Sequence, residues 1–334
     1  MDLSGLPFSN RPVGWFQIGW SGEFAPGTAH PLRYFGHDLV AFRTLVGELS
    51  VLDGHCPHLG AHLGYGGKVK GDCVACPYHG WEWDTEGRNA RIPYQDSPMK
   101  MSLRKWPVRE QHGCVFMWHD PTGAPPRWAL PHVFESYPAL PGREEDYYPP
   151  YGNSTARFDR ESVHTQVTME NGVDSVHFRH THNAPVDPVL EDWVIRDAEL
   201  HTRVGFLSPA TGNVALTLHN ITAGVGLSFS AFEGSYHYRL VFAGTPVDDD
   251  TTDYHYTIWY PREPGDTGSI MPPDLRQRIK SQFLYTLEED MLIWRTQAYV
   301  PRPTYAKQDI KPYTAMRKWQ KNFYNLPPLN QNSA

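Results

Sequence analysis

Between Trp15 and about Pro121 the apolar residues come in short runs, Trp15–Trp20, Leu39–Thr44, Leu49–Leu52 and Gly113–His119, punctuated by Gly and Pro. Runs of that length, bounded by turn formers, read as strands, so this part predicts a small all-β module. From Thr122 to Pro150 the pattern gives way to proline-rich stretches (APPRWALP, YPALPG, YYPP), which favour an extended connection and mark a domain junction. Beyond it the pattern predicts a helical stretch near Val163–Phe178 and period-two strands over Leu216–Phe232, Tyr236–Ala243 and Tyr254–Tyr260. A long helix is expected from about Pro273 to Tyr299. The reading is α+β: an all-β domain over 14–122, then a domain over 123–334, joined by 1–13, built on an antiparallel sheet. No internal repeat or low-complexity tract interrupts it.

Composition narrows the function. The 334 residues include 40% hydrophobic residues, 11 Trp and 18 Tyr, enough for a large apolar interior. The formal net charge is -7 and no Lys/Arg block exceeds two residues, which excludes nucleic acid as a partner. Met1–Pro12 lacks a basic segment followed by an apolar run, and nowhere do ~18 apolar residues follow one another, so a soluble, cytoplasmic protein without membrane attachment is expected. Four Cys are too few for a disulfide scaffold, whereas 17 His direct attention to metals.

Cys56-Pro57-His58-Leu59-Gly60 and Cys76-Pro77-Tyr78-His79-Gly80-Trp81 present C-x-H and then C-x-x-H. Two Cys and two His are the ligand set of a Rieske [2Fe–2S] centre, in which two thiolates hold one iron and two imidazoles the other. Cys56 and Cys76 would bind one iron, His58 and His79 its neighbour. The same four residues also make an acceptable tetrahedral zinc site, and Cys73-x-x-Cys76 is a zinc-like spacing. Cys73 and Cys114 read as buried apolar residues, His55 and His62 as neighbours of the loop rather than ligands.

A second constellation lies at Glu170, Asn171, Asp174, His177, His180 and His182. Two His and one carboxylate, with three positions left open, form the facial triad of non-haem Fe(II) oxygenases. His177 and His182, five apart, stand about 140° apart on an ideal helix, so pairing them requires the helix to end or bulge between them. His180, three residues on from His177, shares its helical face and competes with His182. For the carboxylate, a wheel of the late helix places Asp290 about 20° beyond Phe283, on the apolar stripe with Leu287 and Trp294, while Glu288 and Glu289 project away. A carboxylate on such a stripe is costly unless paired, hydrogen-bonded or bound to metal.

These motifs carry a resemblance. C-P-H-L-G and C-P-Y-H-G-W resemble the cluster loops of Rieske non-haem iron oxygenases. N-x-x-D-x-x-H-x4-H, at Asn171, Asp174, His177 and His182, resembles the iron motif of their α subunits, and D-M-L-I-W at Asp290–Trp294 resembles their acidic-ligand helix. The junction, that helix and Arg317–Tyr324 are most similar to the 3-ketosteroid 9α-hydroxylase oxygenase group and its sterol-modifying relatives. The resemblance implies a Rieske domain followed by a helix-grip (START-like) catalytic domain, with one [2Fe–2S] cluster and one mononuclear Fe(II) per subunit and O2 as co-substrate. It implies His177, His182 and Asp290 as iron ligands, and Asp174 as a bridge from His177 to a cluster histidine of a neighbouring subunit, His79, within a homotrimer. Electrons would come from NAD(P)H through a separate reductase, with or without a ferredoxin. Gly64-Tyr65-Gly66-Gly67 starts like a dinucleotide fingerprint but has Val69 where the third glycine belongs, so no flavin or NAD site is expected on this chain. The expected activity is monooxygenation of a bulky apolar, steroid-like substrate. The competing readings are ring dihydroxylation or O/N-demethylation of a substituted aromatic, and a Rieske electron carrier with a binding domain.

Overall fold

The computed structural model describes residues 6–140, 142–234 and 237–324. The chain forms two compact units, Gln17–Trp118 and Met1–Phe16 with His119–Ala334.

In Gln17–Trp118 the apolar runs become strands. Ala29–Tyr34, His37–Arg43, Leu49–Asp53 and Lys105–Trp106 form one antiparallel sheet; Lys68–Lys70, Cys73–Ala75, Glu82–Asp84 and Asn89–Arg91 form a second. Cys114–His119 pairs with Val108–Gln111. The three-residue strands of the second sheet are too short to leave a readable period. Val40, Phe42, Leu52, Val74, Trp81 and Trp83 form the core between the sheets, with Cys56 and Cys76 embedded in it.

The larger unit is built on a seven-stranded antiparallel sheet. Its order runs Thr155–Glu161, Thr252–Trp259, Arg239–Pro246, Leu227–Gly234, Val214–Ala223, Glu199–Leu207 and Val189–Arg196. The period-two stretch Leu216–Phe232 is therefore two strands: the chain reverses at Gly224, whose φ of 63° suits glycine. The expected strand start at Tyr236 lies outside the described residues. The late helix crosses one face of the sheet, Trp294 stacking on Phe242 and Phe283 meeting Tyr238. It is α-helical over Pro273–Ile279, π-helical over Lys280–Leu284 and α-helical again over Tyr285–Thr296, ending before Tyr299 because Gln297 turns extended. Among the described residues no helix is long and apolar enough to cross a membrane.

The stretch Val163–Phe178 is not one helix. It divides into Thr165–Met169, a 3-10 turn at Glu170–Val173 and a single turn at His177–His180. The interruption has a local cause: Asp174 Oδ1 accepts the N–H of Val176 (3.0 Å) and of His177 (3.1 Å), competing with helix bonds and restarting the helix one turn later. The segment is held from outside by Arg317, on the C-terminal helix Ile310–Gln320. Arg317 Nε and Nη2 donate to the two oxygens of Glu170 at 2.8 and 2.7 Å, and Nη1 donates to the Val300 carbonyl at 2.8 Å. The Glu170 side chain is only 10% exposed, so the bidentate pair is nearly dry.

Removing one partner of such a pair strands the other's charge. Arg317→Ala is expected to cost about 3–5 kcal/mol in urea unfolding, and the double variant Glu170→Met/Arg317→Leu to cost less than the single one. Equal losses would show the pair to be immaterial.

Candidate metal centres

The two cysteine loops share one backbone design. In the first, the Cys56 N–H donates to the Ala61 carbonyl (2.9 Å) and the Gly60 N–H to the Cys56 carbonyl (2.9 Å). In the second, Cys76 donates to Trp81 (2.8 Å) and Gly80 to Cys76 (3.0 Å). Each closes through a glycine with positive φ, 77° at Gly60 and 71° at Gly80. The histidine is third in one loop and fourth in the other, and this offset lets the two rings meet. Their centroids are 4.5 Å apart, with His58 stacked on Trp81 at 4.6 Å. Cys56 and Cys76 are both buried in the core, where burial, the Cys76 charge and a bond to Cys76 outweigh bonds from the His58 backbone and Trp83 and raise the Cys56 thiol.

This arrangement fits a binuclear cluster better than one zinc ion. Four ligands around a single tetrahedral zinc come within about 4 Å of one another. Among the described residues, however, only His177, His182 and Asp290 bring three donor atoms within 4.8 Å of each other. The thiols and the imidazoles instead form separate pairs, as two bridged irons require. His79 Nδ1 is buried with no protein partner, an unpaired donor site that a metal answers. The neighbours are otherwise engaged: His55 Nδ1 meets the Gly60 carbonyl at 2.9 Å, and His62 Nδ1 accepts the Gly64 N–H at 3.0 Å. Cys73 is buried, and burial with Asp72 beside it pushes its thiol up to about 12.

At the second constellation the helix stops where the spacing requires. His177–His180 is one turn, and the Ala184 N–H returns to the Phe178 carbonyl (2.9 Å) past Asn183 at φ 56°. The turn swings His182 to 5.3 Å from the His177 ring, with Asp290 Oδ1 at 3.2 Å from His182 Nε2. His180 is exposed and outside this group. Asp174 lies 3.7 Å from His177 Nδ1, which is buried and without a hydrogen bond. Burial raises the Asp174 carboxyl, but the nearby His177 ring and its charge, a bond from Tyr313 and the His177 backbone N–H outweigh it, leaving Asp174 below the usual range.

The wheel erred at Glu289. Its carboxylate does not point away but reaches His182 Nδ1 at 3.0 Å. A helical wheel gives the direction of Cα–Cβ, not the reach of the longer glutamate chain from the flank. His182 thus stands between two carboxylates; burial alone would lower it, but bonds and charges from Asp290 and then Glu289 hold it above the usual histidine range. A cation is what this carboxylate–imidazole–carboxylate line attracts, so the donor set fits a mononuclear metal. The three donors open on a cavity of about 310 Å³ between sheet and late helix, walled by Val204, Leu218, Phe232, Leu240, Phe283 and Trp294. Gln282, Phe283, Thr286, Leu287, Asp290 and Trp294 share the lining face, as a 3.6 period dictates.

Two substitutions test these placements. Glu289→Ala is expected to weaken Fe(II) binding about 10–100-fold in anaerobic titration, with the cluster's visible absorption unchanged. Cys73→Ser is expected to keep that absorption and Cys76→Ser to lose it; loss in both would make Cys73 a ligand.

Comparison with known proteins agrees with this layout. The family model of the Rieske [2Fe-2S] domain matches residues 14–107, and that of the 3-ketosteroid 9alpha-hydroxylase C-terminal domain matches residues 117–324. A cholesterol 7-desaturase of Hemicentrotus pulcherrimus is 34% identical over 352 residues, covering 94% of this chain and 70% of the relative. The oxygenase component of a 3-ketosteroid-9-alpha-monooxygenase of Rhodococcus rhodochrous is 27% identical over 326 residues, covering 93% and 83%. Among solved structures, dicamba monooxygenase bound to 3,6 dichlorosalicylic acid superposes with TM-score 0.66 at 19% identity, covering 95% of this chain and 98% of that one, a likeness of fold. With paired cluster loops followed by a histidine–carboxylate centre on a helix-crossed sheet, the chain belongs to the Rieske non-haem iron oxygenases, in the group with a 3-ketosteroid 9alpha-hydroxylase C-terminal domain.

Proposed function

We propose that the chain hydroxylates a bulky, neutral, apolar substrate of steroid type at a mononuclear iron held by His177, His182 and Asp290. The observation that carries this reading is the meeting of those three donors on an apolar cavity. The bound cluster and iron supply electrons and O2 activation. Cys56 and Cys76 would hold one cluster iron and His58 and His79 the other. The protein's own work is positioning. Glu289 fixes the ring orientation of His182 through Nδ1, and Asp174 does the same for the helical turn that carries His177. The apolar walls exclude water and hold the substrate's rings against the open side of the triad.

The substrate class rests on the cavity and on the relatives' names, which speak of cholesterol and of a 3-ketosteroid. Among the described residues no Lys or Arg lines the cavity, so apart from the metal itself an aromatic carboxylate would find no cationic partner there. As an oxygenase component the chain works with a separate reductase. Asp174, close to His177 and still partly exposed, is suited to reach a cluster histidine, His79, of a second copy, which makes a homotrimer the assembly of this reading. Cytoplasmic operation alongside that reductase completes it.

Acid-labile sulfide and metal analysis of anaerobically purified protein should give about two sulfides and three irons per chain. Asp290→Ala should retain the cluster spectrum, lose about one iron and lose all steroid oxidation. Asp174→Ala should keep both metals yet reduce turnover by two orders of magnitude or more, because electrons no longer reach the second site; undiminished turnover would remove Asp174 from the path.

A further inference from the structure

The C-terminal helix Ile310–Gln320 meets the histidine segment in a ladder of contacts. Arg317 Nε and Nη2 hold the two oxygens of Glu170 at 2.8 and 2.7 Å. The Met316 side chain packs by Gly172. One helical turn before Arg317 stands Tyr313, and four residues after Glu170 stands Asp174. The Tyr313 hydroxyl bonds to the Asp174 carboxylate. The pairs 317 with 170 and 313 with 174 run in opposite chain directions, as two stretches crossing antiparallel require, and each stretch offers the face that a spacing of four gives.

Packing alone does not call for that hydroxyl. The Tyr313 ring lies against the core of the larger unit and stacks on Tyr305, with centroids 5.4 Å apart, and a phenylalanine ring would fill the same space. What the hydroxyl adds is a donor at Asp174. There Oδ1 already accepts the N–H of Val176 at 3.0 Å and of His177 at 3.1 Å, and lies 3.7 Å from His177 Nδ1. One pinned oxygen still lets the carboxylate plane turn, and a further donor arrests it. Burial and the charge of Asp174, with Glu170 and Asp309 behind it, push the phenol far above its ordinary range, so it keeps its proton.

We infer that Tyr313 is a positioning residue for electron transfer: its hydroxyl fixes the Asp174 carboxylate in the orientation from which Asp174 links His177 to the cluster histidine of a second copy. The inference rests on reading Asp174 as that link. Tyr313 itself touches neither metal ligand nor substrate and acts only through the acid. The ion pair one turn along supplies the leverage, since Arg317 anchors the helix to the segment and thereby sets how far the phenol reaches.

Two measurements on the holoenzyme, without reductase or substrate, test this. In hydrogen exchange, peptides spanning Asp174–Thr181 of Tyr313→Phe should exchange about tenfold faster, because the Val176 and His177 amides lose a fixed acceptor, while peptides from the strand Thr252–Trp259 stay as they were. In the second, a deazaflavin flash delivers one electron to the oxidised cluster under anaerobic conditions, and its passage to the ferric mononuclear ion is timed by the decay of the reduced cluster's signal. Tyr313→Phe should slow that passage about tenfold at unchanged iron content. Tyr305→Phe, which keeps the ring stack, should match the unaltered protein in both measurements. Added to Asp174→Ala, Tyr313→Phe should slow the passage no further, since a residue that acts through another is silent once the other is gone. Unchanged exchange or unchanged passage in Tyr313→Phe, loss of its iron, or slowing that adds to that of Asp174→Ala would overturn the inference and leave Asp174 on the path. Passage at the unaltered rate in Asp174→Ala would overturn the link and the inference together.

Discussion

A carboxylate on the inner face of a packed helix persists only while a proton or cation answers it. His182, lying between Asp290 and Glu289, provides that answer and so ties the late helix to a segment more than a hundred residues earlier. The remaining architecture follows from the tie. Because Asp290 must face His182, the helix presents Leu287 and Trp294 to the sheet, and Phe283 meets Tyr238 one turn earlier. Between these contacts space is left beside the donors. The segment that supplies the two histidines is irregular, and it is clamped at both ends by ion pairs of similar kind, Glu170 by Arg317 and His182 by the two acids. Irregular backbone has few ladder bonds of its own, so its geometry has to be imposed by side chains.

The cluster loops solve a different problem with one piece of backbone used twice. Identical closure around two cysteines would by itself place equivalent residues in equivalent positions. Moving the histidine from third to fourth place breaks that equivalence and brings both rings to one side, 4.5 Å apart, while the thiols pair in the core. Trp81, stacked on His58, limits the ring's rotation from its open face.

The candidate cluster site was legible as a pair of loops because its four residues lie in two contiguous stretches whose chemistry is local. The mononuclear site was legible in part: the His177–His182 spacing demanded a break, and the turn after His180 is that break. Glu289 escaped because a wheel reports direction without reach. The polar residues on the inner face of the sheet escaped for another reason. Thr202, Asn220, Ser228 and Ser230 are unremarkable one strand at a time, and they become a group only when antiparallel register sets them opposite one another. A signal was present in the alternation, since Thr and Asn or Ser occupy inward positions where the same strands elsewhere carry Val, Leu and Phe. Helix and strand bounds strayed where one local bond overrode the pattern, as at Asp174 and Gly224.

The π-helical turn at Lys280–Leu284 sits upstream of Asp290 on the same helix, and Gln282 and Phe283 within it line the cavity. A π turn amounts to one residue inserted into an α-helix, displacing everything before it by about 100° relative to everything after it. The helix is thereby uncoupled into a donor-bearing half, fixed by its contacts with His182, and a half whose rotational phase is free to be reset by gaining or losing a single residue. A one-residue change there would thus re-aim Gln282 and Phe283 at the cavity while Thr286, Leu287, Asp290 and Trp294, beyond the turn, keep their places.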